Sequence, residues 1–80
     1  METWLRRGAL AKSLGLSVPT VKYYTTLGLF PVRKKTAHGQ YLYASEEIRQ
    51  RYFRIKEFKD KRLTIQEIKD RLQIEGLLRD

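Results

Sequence analysis

The sequence predicts one mainly α-helical domain, residues 1–80, with about four helices and a small β-hairpin. Apolar residues recur at helical spacing in four separate segments, whereas residues 30–43 place a polar, glycine-containing stretch between apolar ends. A length of 80 residues fits a single domain with a small core. The absence of cysteine excludes disulfides, and no apolar run approaches the roughly 20 residues of a membrane-spanning helix.

Charge is distributed unevenly along the chain, whose formal net charge is +8. No acidic residue lies between Glu2 and Glu46, whereas seven basic residues do. These are Arg6, Arg7, Lys12, Lys22, Arg33, Lys34 and Lys35. Because acids repel phosphates, their absence from this half predicts a face that binds nucleic acid. A basic surface that is simply well solvated is the alternative.

The first two predicted helices fall within residues 7–28. Leu10, Ala11 and Leu14 share one face at helical spacing, and Ala11 is small enough for a second helix to cross closely. Gly15 follows where the first helix must end, since glycine adopts the positive φ of a helix C-terminus at little cost. The pattern therefore predicts a short helix that stops at a tight turn.

The second helix of this segment begins after Ser17, a good N-cap, with Pro19 in its first turn, where proline is tolerated. Val21 and Tyr24 lie one turn apart and are expected to pack against the first helix, which turns Tyr23 outward. Two such helices joined by a short turn form a helix-turn-helix, whose second helix enters the major groove of DNA. An ordinary helical hairpin is the alternative.

Residues 30–43 predict a β-hairpin after the helix-turn-helix. Residues 33–39 are basic and then small and polar, and apolar and aromatic residues return at 41–43. A basic hairpin in this position is a wing. Its tip is too polar for a core, so contact with the DNA backbone is a reasonable use for it.

The second half predicts helices at residues 45–61 and 64–73. Ser45 and the two acids that follow it read as a helix start with Ser45 as the cap, and Thr64 with Glu67 forms a capping box. The apolar stripe of the first of these helices consists of Ile48, Tyr52, Ile55 and Phe58. Its charged residues, predicted to form mostly a solvated face, are Arg49, Arg51, Arg54 and Lys56. The aromatic residues predicted to be core or half-core are Trp4, Tyr24, Tyr43, Tyr52, Phe53 and Phe58.

These residues together resemble the MerR family of bacterial transcription regulators over roughly residues 4–72. The resemblance is carried by residues 10–12, 15–17, 20–24, 28–29, 39, 43 and 63–68. One motif is quite specific to that family: a threonine, a basic residue, an aromatic residue and a tyrosine within residues 20–24, followed closely by glycine and leucine at residues 28–29. The resemblance implies a winged helix-turn-helix that docks on duplex DNA, with Lys22 and Tyr23 approaching from the second helix and the wing touching the backbone.

The sequence departs from the family pattern at several positions. Lys22 stands where arginine is usual, and residues 39–43 lack the family's phosphate-binding arginine in the wing. One of the wing bases Arg33, Lys34 and Lys35 would have to replace it. Arg7 occupies a position where an apolar residue is expected, and family members commonly have glycine near Arg62.

We expect a sequence-specific binder of double-stranded DNA. The residues expected to reach phosphates are Lys12, Arg33, Lys34 and Lys35. Base edges are expected to face Val18, Thr20 and Lys22, with Tyr23 at the groove wall. Gln40 and Tyr41 complete the predicted DNA-binding set from the wing. Two alternatives remain open: an excisionase-like DNA-architectural factor, and a basic protein-interaction module that docks an acidic partner.

An enzyme is not predicted, and neither is a cofactor, a metal site or a membrane partner. His38 is the only histidine, in the hairpin tip, and no set of converging ligands is visible in the sequence. We expect a cytoplasmic protein of the bacterial nucleoid. The dimerising helix implied by the resemblance would start near or after Leu78, so this chain alone is expected to be monomeric and the full-length protein a homodimer. Ile74, Leu77 and Leu78 are too few for a coiled-coil seam.

Overall fold

The computed structural model describes residues 2–76, and Leu77 and Leu78 of the expected seam lie outside them. The elements, in chain order, are β1 (Trp4–Arg6), α1 (Arg7–Leu14), α2 (Val18–Thr26), β2 (Lys34–Lys35), β3 (Tyr41–Ala44), α3 (Ser45–Asp60) and α4 (Ile65–Ile74). Four helices and a small antiparallel sheet confirm the predicted fold class, a mainly α winged helix-turn-helix. Within residues 2–76, no helix is long and apolar enough to cross a membrane.

The sheet contains an N-terminal strand that the sequence did not reveal. Its order is β1-β3-β2, with both pairs antiparallel, so β3 is central and the predicted wing hairpin is its β2–β3 part. Leu5 lies opposite Tyr43, and Lys35 lies opposite Tyr41. A strand of three residues is too short to display a periodicity. The strand nevertheless satisfies the edge of β3 that would otherwise be open.

The turn between α1 and α2 follows the chemistry expected from its residues. Gly15 takes φ 70°, and the Leu16 amide donates to the Ala11 carbonyl at 2.9 Å. Ser17 then caps α2, since its hydroxyl accepts from the Thr20 amide at 3.2 Å. The predicted roles of glycine and serine in this turn are confirmed.

The start of α3 corrects one prediction. Ala44, not Ser45, is the N-cap, and the N-cap residue makes no side-chain hydrogen bond to the helix. Instead, the Ser45 amide donates to the Thr3 carbonyl at 2.9 Å, and the Glu46 amide donates to the Glu2 carboxylate at 3.3 Å. β3 runs directly into α3, and β1 pairs with β3, so the residues just before β1 lie beside the first turn of α3. They can therefore accept hydrogen bonds from its free amides.

The turn into α4 combines a strained residue with the predicted cap. Arg62 adopts φ 61°, the left-handed region that glycine occupies most easily. The capping box is confirmed: the Glu67 amide donates to the Thr64 hydroxyl at 3.2 Å, and the Thr64 amide donates to the Glu67 carboxylate at 2.9 Å. Arginine therefore holds the left-handed conformation in this turn.

The core lies between the helices and the inner face of the sheet. Its fully buried apolar side chains include Leu10, Val21, Leu29, Phe30, Tyr43, Ile48, Ile55, Ile68 and Leu72. Two predictions about α3 are wrong. Arg51 is only 4% exposed, whereas a solvated face was expected, and Phe53 is 65% exposed, whereas a place in the core was expected. The buried stripe of α3 runs through residues 48, 51, 55 and 58, which places Arg51 within it and rotates Phe53 outward.

Candidate nucleic-acid interface

One face of α2 is turned away from the core and forms an exposed surface. Val21 and Tyr24 are buried, as predicted, while Val18 is 44% and Tyr23 54% exposed. Lys22 is also exposed and lies between them along the chain. The outward residues of α2 are therefore an apolar side chain, a cation and a tyrosine, which can meet base edges and phosphates.

Thr20 is held more tightly than its neighbours on this face. Its hydroxyl shares a 2.8 Å hydrogen bond with the Ser17 hydroxyl, and it is only partly exposed. Lys12 lies in the last turn of α1 with its side chain exposed. Both residues are in the predicted set, and the two helices place them on either side of the turn at Gly15.

The three basic residues of the wing, Arg33, Lys34 and Lys35, have different surroundings. Arg33 donates from Nε and from a terminal nitrogen to the two carboxylate oxygens of Glu47, each at 3.1 Å. The Lys34 ammonium lies 4.4 Å from the centre of the Trp4 ring. The Lys35 ammonium lies 5.3 Å from the centre of the Tyr41 ring. Successive residues of a strand face opposite sides, so the sheet separates Lys34 from Lys35.

The space between α1, α2 and the wing is a groove of about 800 Å³. Its lining residues are Arg6, Arg7, Gly8, Ala9, Lys22, Lys35, Gly39, Gln40 and Tyr41. Four of these nine residues are basic and none is acidic. We call this space the basic groove. It brings together Lys22, Lys35, Gln40 and Tyr41 of the predicted set, whereas Lys12, Arg33 and Lys34 lie outside its lining.

Arg6 and Arg7 are groove residues that the predicted DNA-binding set omitted. The Arg7 guanidinium carbon lies 5.7 Å from the centre of the Tyr41 ring, and its Nε atom is buried. Arg6 is the last residue of β1 and lies opposite Leu42 in the sheet. A signal for Arg7 was present in the sequence, since it stands where an apolar residue was expected before Gly8.

The buried side of α2 is fixed by two hydrogen bonds to other elements. The hydroxyls of Thr25 and Tyr43 are 2.7 Å apart, which ties the end of α2 to β3. The Lys59 ammonium donates to the Tyr24 hydroxyl at 3.0 Å, which ties α2 to α3. The hydrogen bond with Tyr24 raises the pKa of Lys59. These contacts orient the exposed face of α2.

Glu47 neutralises two cations at the base of the wing. It pairs with Arg33 at 3.1 Å and with Arg51 at 3.2 Å. Burial acts to raise the pKa of Glu47, but the hydrogen bond from Arg33 and the charges of both arginines outweigh it, so the pKa lies below its ordinary value. Burial lowers the pKa of Arg51, against the opposing effect of Glu47. The carboxylate thereby joins the wing to α3.

Within residues 2–76, the His, Asp and Glu side chains form no cluster of three that could hold a metal ion. The four helices, the three-stranded sheet and the basic groove beside an outward-facing helix define a winged helix-turn-helix protein. The chain belongs to the MerR HTH family of regulatory proteins, since the model of that family matches residues 5–74. Membership in this family supports a role in DNA-binding transcription regulation.

A curated relative agrees with this assignment. The chain is 38% identical over 72 residues to the HTH-type transcriptional regulator ZntR homolog of Haemophilus influenzae. The alignment covers 90% of this chain and 53% of the relative, so the chain spans about half the length of the relative it matches. No solved structure matches the chain.

Proposed function

We propose that this domain binds double-stranded DNA sequence-specifically, as the DNA-binding part of a transcription regulator. The observation that carries the proposal is the basic groove. It opens beside the exposed face of α2, and four of its nine lining residues are arginine or lysine. Phosphates are attracted by such a surface, while base edges are read by side chains of a helix in the major groove. The domain acts by binding and not by catalysis.

The proposed contacts divide by chemistry. Val18, Thr20 and Lys22 face base edges from α2, and Tyr23 lies at the groove wall. The residues proposed to position the domain on the DNA backbone are Lys12, Arg33, Lys34, Lys35, Gln40 and Tyr41. Among the wing bases, Lys35 has the strongest support because it shares the basic groove with Lys22. Arg33 must exchange or share its Glu47 partner to reach a phosphate.

We further propose that the complete regulator is a homodimer in the bacterial cytoplasm, at the nucleoid, and that residues 1–80 alone are monomeric. Two recognition helices separated by about one helical turn of DNA, roughly 34 Å, would read a pseudo-palindrome. Fusing a strong dimerising helix after Asp80 should then tighten operator binding by orders of magnitude through effective concentration. Sedimentation of the bare chain tests the monomer, and a stable dimer at micromolar concentration would contradict it.

The experiment that tests DNA binding is a salt titration on duplex DNA. If about four phosphates are neutralised, the slope of log affinity against log salt is near −3.6, from roughly −0.9 for each phosphate. Replacing Lys34 and Lys35 together with alanine should flatten the slope by about two units and leave the fold intact. Lys56→Ala together with Arg49→Ala, on the exposed side of α3, is the matched loss of two charges and should leave the slope unchanged.

The same titration separates the alternatives. An unchanged slope in the Lys34→Ala, Lys35→Ala protein would remove the wing from the DNA model. A chain that ignores duplex DNA but binds an acidic protein would be the interaction module. Preference for a promoter-like sequence indicates a regulator, whereas preference for a phage attachment site indicates an excisionase-like architectural factor.

A further inference from the structure

We infer that Arg7 holds a backbone phosphate of the bound DNA inside the basic groove. This inference rests on the proposed DNA binding and adds a residue outside the predicted set. Arg7 is the first residue of α1, and the groove lies between that end of α1, α2 and the wing. The position makes Arg7 the link between the wing and the recognition helix.

Two cations converge on a single aromatic ring in this groove. The Arg7 guanidinium carbon lies 5.7 Å and the Lys35 ammonium 5.3 Å from the centre of the Tyr41 ring. Among residues 2–76, no acidic side chain pairs with either of them. An aromatic face attracts each cation but leaves the repulsion between them uncompensated. An anion between them would remove that repulsion.

The geometry of Arg7 favours a phosphate as this anion. Its Nε atom is buried and finds no hydrogen-bond partner within the described part of the chain. Because Nε is buried, the two terminal nitrogens of the planar guanidinium fork are the donors available to a ligand. Such a fork binds phosphate oxygens through two parallel hydrogen bonds. Lys22 and Lys35, on the other walls of the groove, add charge around the same position.

The inference is tested by salt titration of four chains on a random duplex: wild type, Arg7→Met, Arg7→Lys and Arg49→Met. Methionine keeps an unbranched apolar stem over Tyr41 and removes the charge. Arg49, whose side chain is 62% exposed, does not line the groove and provides the matched loss of one charge. Thermal melting of each variant checks that it is folded, and Arg7→Gln replaces the methionine variant if that variant melts early.

Loss of one phosphate contact should flatten the slope by about 0.9, which is about 8-fold weaker binding at 0.1 M salt. We expect this change for Arg7→Met, a slope like that of wild type for Arg7→Lys, and no change for Arg49→Met. A folded neutral variant with the wild-type slope overturns the role of Arg7, and so does a lysine variant with the slope of the neutral one. If wild type itself shows no salt-dependent binding, the proposed function fails instead.

Discussion

Replacing Val21 with alanine tests how α2 is rotated on the core, and with it the assignment of the DNA-facing side. The Val21 side chain is fully buried in the main cluster. Removing two methyl groups costs about 1.6 kcal/mol at roughly 0.8 kcal/mol each. Incomplete collapse of the cavity adds about 1 kcal/mol, and the better helix propensity of alanine returns about 0.5 kcal/mol. The expected loss is about 2 kcal/mol.

This loss is large for a chain of this length. A domain of this size has a total stability of about 4–12 kcal/mol, and its melting temperature falls by about 4–8 °C for each kcal/mol lost. Val21→Ala should therefore melt about 8–16 °C below wild type, measured by circular dichroism. At a temperature where it remains folded, its affinity for duplex DNA should match that of wild type.

The adjacent residue provides the matched control. Lys22 is exposed, so Lys22→Ala should change stability by no more than about 0.5 kcal/mol while weakening DNA binding. The two neighbours should thus separate stability from binding. If Lys22→Ala unfolds the domain and Val21→Ala leaves its melting temperature unchanged, the orientation of α2 described above is wrong.

Two further predictions concern the strained turn and the base of the wing. Arg62→Gly should relieve a left-handed conformation that costs about 1–2 kcal/mol, less the chain entropy of glycine, and raise the melting temperature by about 2–8 °C. Arg62→Ala, as control, should give no such rise. The lowered pKa of Glu47 contributes stability above its ordinary value of 4.5, which is lost as pH falls through the folded pKa. The melting-temperature gap between wild type and Glu47→Gln should therefore be widest near about pH 6 and should close as the pH falls below 4.5 and through the folded pKa; a constant gap would contradict the pairing.

The local features with strong chemical signatures could be predicted from the sequence. Gly15, Ser17 and the Thr64 capping box act over one turn of chain, and the residues that form them are adjacent. The cap of α3 could not be predicted in this way, because its partners Thr3 and Glu2 lie more than 40 residues away. Long-range pairing of this kind leaves no periodic trace in a single sequence.

The helix periodicity of α3 also left its rotation open. Ile48, Ile55 and Phe58 fit a stripe that includes either residue 51 or residue 52, and hydrophobicity favours the tyrosine. The structure places Arg51 in the stripe, where it pairs with Glu47, one turn earlier on the same helix. Charge compensation by Glu47 within α3 permits the burial of Arg51, which hydrophobicity alone did not predict.

The basic groove also brings together residues that lie far apart in the sequence. For this reason Arg7 was not included in the predicted DNA-binding set. In the distribution of charge along the sequence, the seven basic residues between Glu2 and Glu46 are equivalent. The sheet distinguishes them, since it directs Lys35 into the groove and Lys34 toward Trp4. A list of basic residues predicts a face, whereas the register of three short strands decides which of them share a site.

The pairing of β1 with β3 has a consequence for the order in which the domain loses structure. Three residue pairs hold this strand, and they join parts of the chain about 40 residues apart. The wall of the groove formed by residues 6–9 depends on them. Detachment of β1 would open the groove while leaving the core pairs of α2, α3 and α4 in place, so amide protons of Leu5 and Arg6 should exchange well before those of Ile55. A peptide fused ahead of Thr3 would disturb the same pairing of β1 with β3. The DNA-binding surface should therefore change before the melting temperature does.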